Sequence, residues 1–119
     1  MRNAYAPYSG FKVGAAVRGR GGAIYAGANV ENVAYPVGQC AEASALGEMV
    51  AAGETAITAV AVVAERVELC PPCGGCRQRL AEFGDPDTPV YLGRPGSDFQ
   101  TATLAQLLPL SFGRKELEA

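Results

Sequence analysis

The arrangement of the cysteines, in a chain that contains no histidine, most limits what this sequence can fold into. Cys40 is followed by Ala41 and Glu42, and further along Cys73 and Cys76 form a C-x-x-C pair. Without an imidazole there can be no Ser-His-Asp triad or Cys-His dyad, so any metal site must use thiolates and carboxylates. Three cysteine ligands leave one position of a tetrahedral zinc site open, and a catalytic zinc needs that position for water.

The chain has the size and composition of one globular domain, which we place at residues 1–119. Apolar residues make up 49% of it and charged residues only 18%, so part of its surface is expected to be buried between subunits. The net charge of −2 and the scattered arginines provide no basic surface of the kind that binds nucleic acid. We therefore expect no nucleic-acid partner.

The sequence begins without the apolar segment of a secretory signal, and no apolar run reaches the length of a membrane span. These features predict a cytoplasmic protein that does not enter a membrane. In a reduced cytoplasm, clustered cysteines bind metal more often than they form disulfides. The four cysteines are therefore interpreted first as candidate metal ligands.

The apolar pattern predicts an α/β fold with a mixed sheet. Alternating apolar residues at 13, 15 and 17, a glycine-rich turn and a returning segment indicate an antiparallel strand pair. The continuous run 59–64 is typical of a strand buried on both faces. The predicted order is strands at 13–17 and 24–29, a helix at 40–52 closed by Gly53, a strand at 59–64, a helix from Cys73 to just before Gly84, a strand at 90–92, and a helix at 104–108 capped by Thr101 or Thr103.

Cys40 and Cys73 fall at the starts of two predicted helices, and Cys76 follows one turn into the second. Helix N-termini stabilise thiolates through unpaired N–H groups and the positive end of the helix dipole. This matters because three thiolates around Zn²⁺ leave a net negative charge, which Arg77 is also placed to offset. The pattern favours a catalytic zinc held by Cys40, Cys73 and Cys76.

Two other interpretations of the cysteines stay open at this point. Cys70 could be the fourth ligand of a structural zinc, although such sites use paired C-x-x-C knuckles and Cys40 stands alone. The C-x-x-C pair could instead be a redox motif, but thioredoxin-like chains place that motif after the first strand. We expect Cys70 to be a packed or partly exposed thiol that binds no metal.

Glu42 is the candidate proton carrier. A glutamate in a first helical turn commonly does no more than complement the helix dipole. Beside a zinc ligand, however, its carboxylate points near the open metal position. Zinc-dependent nucleobase deaminases have this layout, with a ligand-x-Glu motif followed by P-C-x-x-C, and their glutamate is the acid/base rather than a ligand.

The chain resembles the small cytidine deaminases of pyrimidine salvage. The resemblance runs from about residue 3 to residue 112 in the expected order and spacing. The matching stretches are YAPYS (5–9), FKVGAA (11–16), NVENVAY (29–35), CAE (40–42), PCGGCRQ (72–78) and LLPLSF (107–112).

The resemblance implies a three-layer α/β/α sandwich, one zinc per subunit, and a homotetramer whose active sites are shared between subunits. It implies that Asn29 and Glu31 bind the ribose hydroxyls and that Phe11 packs against the nucleoside. Tyr35 would lie at a subunit boundary, and Phe112 would stack on the base from a neighbouring subunit.

Two departures from the family pattern stand out. Members of the family often carry an arginine directly after the glutamate, where it neutralises the zinc thiolates, whereas this chain has Ala43. We expect Arg77 to bear more of that task. The family also usually has a helix before the Tyr-Ala-Pro-Tyr stretch, and here that helix is expected to be missing or reduced to residues 1–3.

The function these features indicate is hydrolytic deamination of cytidine and 2′-deoxycytidine. Glu42 would carry the protons, and the backbone N–H of Ala41, at a helix start, could hold the base. One rival is a related deaminase with another substrate, such as blasticidin S. A rival of another class is a zinc-stabilised interaction module without catalytic activity.

Overall fold

The structure is a computed structural model that describes residues 1–65, 70–96 and 98–118. Most predicted elements are present, with ends that differ by a few residues. The elements are β1 (Val13–Gly19), β2 (Ile24–Ala28), a 3₁₀ turn (Tyr35–Val37), α1 (Ala41–Ala51), β3 (Ile57–Ala64), α2 (Gly74–Phe83), β4 (Pro89–Gly93), β5 (Gln100–Thr103), α3 (Leu104–Leu107) and α4 (Arg114–Glu118).

The strands form one mixed five-stranded sheet in the order β2-β1-β3-β4-β5. β1 is antiparallel to β2 and β3, β3 is parallel to β4, and β4 is antiparallel to β5. The parallel pair flanks α2 in the chain, as the sequence predicts. The sequence did not predict β5 or α4. β5 is a short edge strand with the sequence Gln-Thr-Ala-Thr, which lacks the apolar alternation of a strand although threonine favours strands.

The core lies on one face of the sheet. Alternate side chains of β1, β3 and β4 are buried there, and α1, α2 and α3 supply the residues that cover them. This packing is the main source of stability, because each fully buried aliphatic side chain contributes about 1.5–3 kcal/mol. The largest fully buried members are Val17, Val60, Val62, Val90, Met49 and Leu80.

The opposite face of the sheet differs from the expectation for β3. Val60, Val62 and Ala64 are buried, but the alternate residues Ala59, Ala61 and Val63 are only half-buried. A strand is buried on both faces only where helices cover both, and the helices α1, α2 and α3 all belong to the single core. Residues 1–12, all described, form turns and a bridge from Tyr5 to Val30 rather than a helix, as expected for a reduced N-terminal helix.

Gly27 sets the depth at which α1 lies on the sheet. A Cβ atom added there would come within 2.5 Å of the Ala45 nitrogen and 2.8 Å of the Ala41 carbonyl oxygen. Only glycine therefore lets the first turns of α1 rest directly on β2. That close packing fixes Cys40, the N-cap residue of α1. Within the described ranges, no helix is both long enough and apolar enough to cross a membrane.

Candidate active site

Three cysteines from two helix N-termini meet at one point of the structure. Cys40 caps α1, Cys73 caps α2, and Cys76 is the third residue of α2. Their Sγ atoms all lie within 4.8 Å of one another, with Cys76 buried and Cys73 at the surface. The fold thus joins the lone cysteine to the C-x-x-C pair.

This group fits zinc by its chemistry and its spacing. Tetrahedral zinc binds thiolates at about 2.3 Å, which places ligand sulfurs about 3.8 Å apart, so small rotations of the side chains would complete the site. Cys70 does not belong to the group although the structure describes it, and all four cysteines are free thiols. The arrangement would therefore offer a zinc ion three protein ligands and leave one position open, as in catalytic zinc sites.

The surroundings shift the pKa values of the three thiols in different directions. Burial raises the pKa of Cys40 and, more strongly, that of Cys76. The pKa of Cys73 is lowered, chiefly because the backbone N–H of Cys76 donates a hydrogen bond to its sulfur. The first turn of α2 thus favours the thiolate form of Cys73. The thiols of Cys40 and Cys76 need a nearby cation to ionise near neutral pH.

Glu42 lies at the bottom of the site, in the first turn of α1. It is 4% exposed, and burial raises the pKa of its carboxyl group. The thiol of Cys76 and the charge of Arg79 act in the opposite direction on that pKa. A buried carboxyl group close to three metal-binding thiols is suited to exchanging protons with a molecule bound at the open metal position.

The contacts of the two arginines of α2 differ from the expectation that Arg77 offsets the charge of the thiolates. Arg77 donates from Nε to the Pro72 carbonyl at 2.8 Å and from Nη1 to the Leu107 carbonyl at 2.7 Å, so its described bonds hold backbone rather than thiolates. Arg79 instead donates from Nη1 to Cys76 Sγ at 3.7 Å. Sequence reasoning missed Arg79, although its position three residues after Cys76 places both side chains on one helix face.

Asn29 follows β2 and ties the N-terminal segment to the sheet. Its Oδ1 accepts from the Val13 amide at 3.0 Å, and its Nδ2 donates to the Phe11 carbonyl at 2.9 Å. Phe11 itself is half-buried in this segment, and its amide donates to the Ser9 hydroxyl at 2.9 Å. The predicted ribose ligand is therefore also a structural residue.

Glu31 holds the same segment nearer to its tip. Its carboxylate accepts from the amides of Tyr8 at 3.0 Å and Ser9 at 3.1 Å, and also from the Ser9 hydroxyl. The Ser9 hydroxyl, as the largest influence, lowers the pKa of Glu31. A cavity of about 360 Å³ lies here, lined by Tyr8, Ser9, Glu31, Asn32, Tyr35 and Gly38.

Tyr35 and Phe112 are both exposed. Tyr35 is 75% exposed and packs edge-on against the ring of Tyr8, with 5.9 Å between ring centroids. Phe112 is 58% exposed, while its carbonyl accepts from Gln78 Nε2 at 2.9 Å, which anchors its backbone to α2. Ala41, in contrast, is buried as the first residue of α1, where backbone N–H groups have no partner within the helix.

The comparisons with known proteins agree with this geometry. Residues 1–92 match the family model of the cytidine and deoxycytidylate deaminase zinc-binding region. The chain is 44% identical over 114 residues to a cytidine deaminase from Halalkalibacterium halodurans, an alignment covering 96% of this chain and 86% of that protein.

Solved structures are similar over nearly the whole fold. A crystal structure of cytidine deaminase from Burkholderia pseudomallei superposes with a TM-score of 0.87 at 42% identity, covering 93% of this chain and 89% of that chain. Cytidine deaminase from Mycobacterium tuberculosis superposes with a TM-score of 0.80 at 37% identity, covering 94% and 87%. On the family match, the sequence identity and the shared fold together, this chain is a member of the cytidine deaminase family, whose zinc-binding region it carries.

Proposed function

We propose that the chain hydrolyses cytidine and 2′-deoxycytidine to uridine and 2′-deoxyuridine with release of ammonia, using one zinc per subunit. The observation that carries this proposal is the buried Glu42 beside the three-thiol group of Cys40, Cys73 and Cys76. This combination supplies an open metal position and a proton carrier in one place. Membership of the cytidine deaminase family supports the choice of substrate.

Glu42 carries the protons in the proposed reaction. Cys40, Cys73 and Cys76 would hold the zinc, which would supply a Lewis acid that acidifies a water molecule near neutral pH. Glu42 accepts a proton from that water and delivers it to N3 of the pyrimidine, which makes C4 electrophilic. The water oxygen adds to C4 as a hydroxyl group. Glu42 takes the proton of this hydroxyl and passes it to the amino group, and the C4–N4 bond breaks to release ammonia and leave the C4 carbonyl.

Other residues of the chain orient the nucleoside. The backbone N–H of Ala41, at the start of α1, donates to the base. Asn29 and Glu31 bind the ribose hydroxyls, with Phe11 packing beside the sugar. A carboxylate has about four acceptor positions, and the described bonds to Glu31 use three, so it can accept a further hydroxyl without losing the bonds that hold it.

We propose a homotetramer in the cytoplasm that serves pyrimidine salvage. The exposure of Phe112 and Tyr35 supports a partner subunit that covers these aromatic side chains. The half-buried second face of the sheet, with its many alanines, also offers an apolar contact surface. Four free thiols suit a reducing compartment. Sedimentation of the purified protein measures the assembly, and a monomeric active enzyme would refute it.

The direct test is loss of ultraviolet absorbance on a substrate panel of cytidine, 2′-deoxycytidine, cytosine and blasticidin S. Cytidine should be deaminated far faster than free cytosine, since a base without the ribose cannot make the proposed hydrogen bonds to Asn29 and Glu31. Equal kcat/KM for the two would mean that the ribose assignment is wrong. Activity only on blasticidin S would favour the related deaminase.

The variant Glu42→Gln distinguishes a zinc enzyme from a zinc-stabilised interaction module without catalytic activity. The variant keeps every ligand, so it should bind zinc and fold normally. Its turnover should fall by roughly 10²–10⁴, the usual size of a general acid/base contribution. Normal turnover in the zinc-loaded variant would contradict the role of Glu42, and a wild-type protein that binds zinc but deaminates nothing would support the structural module.

A further inference from the structure

The proposed metal site carries a surplus of negative charge. Three thiolates outweigh a single Zn²⁺, and Glu42 adds a further negative charge when it is ionised. Excess charge on the thiolates would weaken the power of the metal to acidify water. A site that works near neutral pH therefore needs a donor or a cation close to the sulfurs.

Arg79 is the arginine that meets this need. Its Nη1 donates to Cys76 Sγ at 3.7 Å, and its charge acts on Glu42. It also lines a cavity of about 660 Å³ together with Cys40 and Ala43. Arg77, two residues earlier, is held by two backbone carbonyls, so its described bonds lead away from the thiols.

The local geometry directs the Arg79 guanidinium toward the start of α2. Side chains on a helix lean toward its N-terminus and lie over the residues three and four positions earlier. For Arg79 those residues are Cys76 and Gly75. A Cβ atom added to Gly75 would be 3.3 Å from Arg79 Nη1, so glycine leaves the space that the guanidinium uses. On the α1 side of the cavity, Ala43 is too short to fill that space.

We propose that Arg79 is a positioning residue that tunes the metal site through its N–H···S hydrogen bond to Cys76. The inference rests on the proposed zinc site. By drawing electron density from the Cys76 thiolate, the guanidinium keeps the metal electron-poor. Arg79 thereby supplies from α2 a positive charge that α1, with Ala43 after the glutamate, does not provide.

The test uses cobalt(II) in place of zinc, because the sulfur-to-cobalt charge-transfer band reports thiolate donation without any catalysis. Arg79→Ala should shift this band to longer wavelength and lower kcat of the zinc enzyme roughly 10–100-fold, with little change in KM. Arg79→Lys, which keeps the charge, should restore part of both. An unshifted band with wild-type kcat in Arg79→Ala would overturn the proposal.

Arg114→Ala is the matched control for the loss of one arginine. Arg114 is exposed and pairs with Glu82 of α2 at 3.5 Å. This variant should leave band and kcat unchanged, and a shift as large as that of Arg79→Ala would show an effect of net charge alone. Because the band needs only bound metal, a wild-type protein that binds cobalt but deaminates nothing refutes the proposed function while still testing Arg79.

Gly75→Ala provides a second variant that should fold, since alanine favours helices over glycine. The added methyl group crowds Arg79 Nη1, so the band should shift in the same direction but less far. In the Arg79→Ala background, Gly75→Ala should add nothing, which a double-mutant cycle measures directly. Fully additive shifts would show that Gly75 acts on the metal site independently of Arg79, against the proposal.

Discussion

The metal end of the candidate site and its proposed substrate rim are built in different ways. At the metal end, Glu42 of α1 and Cys76 of α2 are buried, and both helices pack against the core. At the rim, Tyr35 in the 3₁₀ turn and Phe112 on a loop are exposed, and Glu31 on a loop is half-buried. The chain thus brings its three thiols together by itself, whereas the residues of the proposed rim would be covered only by a substrate and by a second subunit of the proposed homotetramer.

The largest effect should come from removing a thiol. Cys40→Ala, Cys73→Ala and Cys76→Ala should each lose bound zinc and activity, because two thiols cannot hold the metal against competing ligands. Cys70→Ala is the matched control and should keep both, since Cys70 lies outside the group. Metal content by atomic emission decides the matter. Zinc loss from Cys70→Ala as complete as that from Cys73→Ala would indicate a four-cysteine structural site.

The next effect tests whether the rim is completed by a neighbour. Glu42→Gln subunits should be nearly inactive and Phe112→Ala subunits weak, so each alone should give little turnover. If Phe112 acts in trans, mixed tetramers contain sites that combine an intact Glu42 with a neighbour's intact Phe112. Activity should then exceed the sum of the parents. No gain after verified subunit exchange would assign Phe112 to its own chain.

A smaller effect is expected from Asn29→Ala, because the Asn29 side chain both belongs to the proposed rim and stabilises the fold. The change leaves the Val13 amide and the Phe11 carbonyl without their described side-chain partner. Unpaired polar groups of this kind cost about 1–3 kcal/mol, so the urea midpoint should fall along with kcat/KM. Asn29→Asp keeps one acceptor and should recover part of the stability. Unchanged stability in Asn29→Ala would limit this residue to substrate binding.

The smallest effect is the pH dependence of Glu31. Hydrogen bonds from Ser9 lower the pKa of this carboxyl group in the folded protein. A lowered folded pKa adds stability above the unfolded value of about 4.5, and this stability is lost as the pH falls through the folded value. Glu31→Gln should therefore be slightly less stable than wild type at pH 7, with the difference vanishing on acidification. A difference that stays constant with pH would mean that the charge of Glu31 contributes nothing.

Sequence patterns predicted the elements that carry the three cysteines, but not the contacts that Asn29 and Glu31 make. Hydrophobic periodicity placed α1, β3 and α2, and with them the three cysteines at helix starts. The strand β5 was missed because its four residues are mostly polar. Arg77 was named because it adjoins Cys76 and Arg79 was not considered, although side chains on a helix lie over the residues three or four positions earlier. The bonds of Asn29 and Glu31 to residues 8–13 are long-range contacts that no local pattern encodes.

The starts of α1 and α2 also relate the stability of the fold to metal binding. α3 begins with a Thr103–Gln106 capping box, whereas α1 begins with Cys40, whose side chain makes no capping hydrogen bond, and α2 begins with Cys73, whose sulfur accepts from the Cys76 amide. Caps of the usual type contribute about 1 kcal/mol each. A metal ion bound by both cysteines would join these two helix starts across the chain that separates them. We expect the zinc-free protein to fray first at these turns, so that the cellular zinc level sets the lifetime of the folded enzyme.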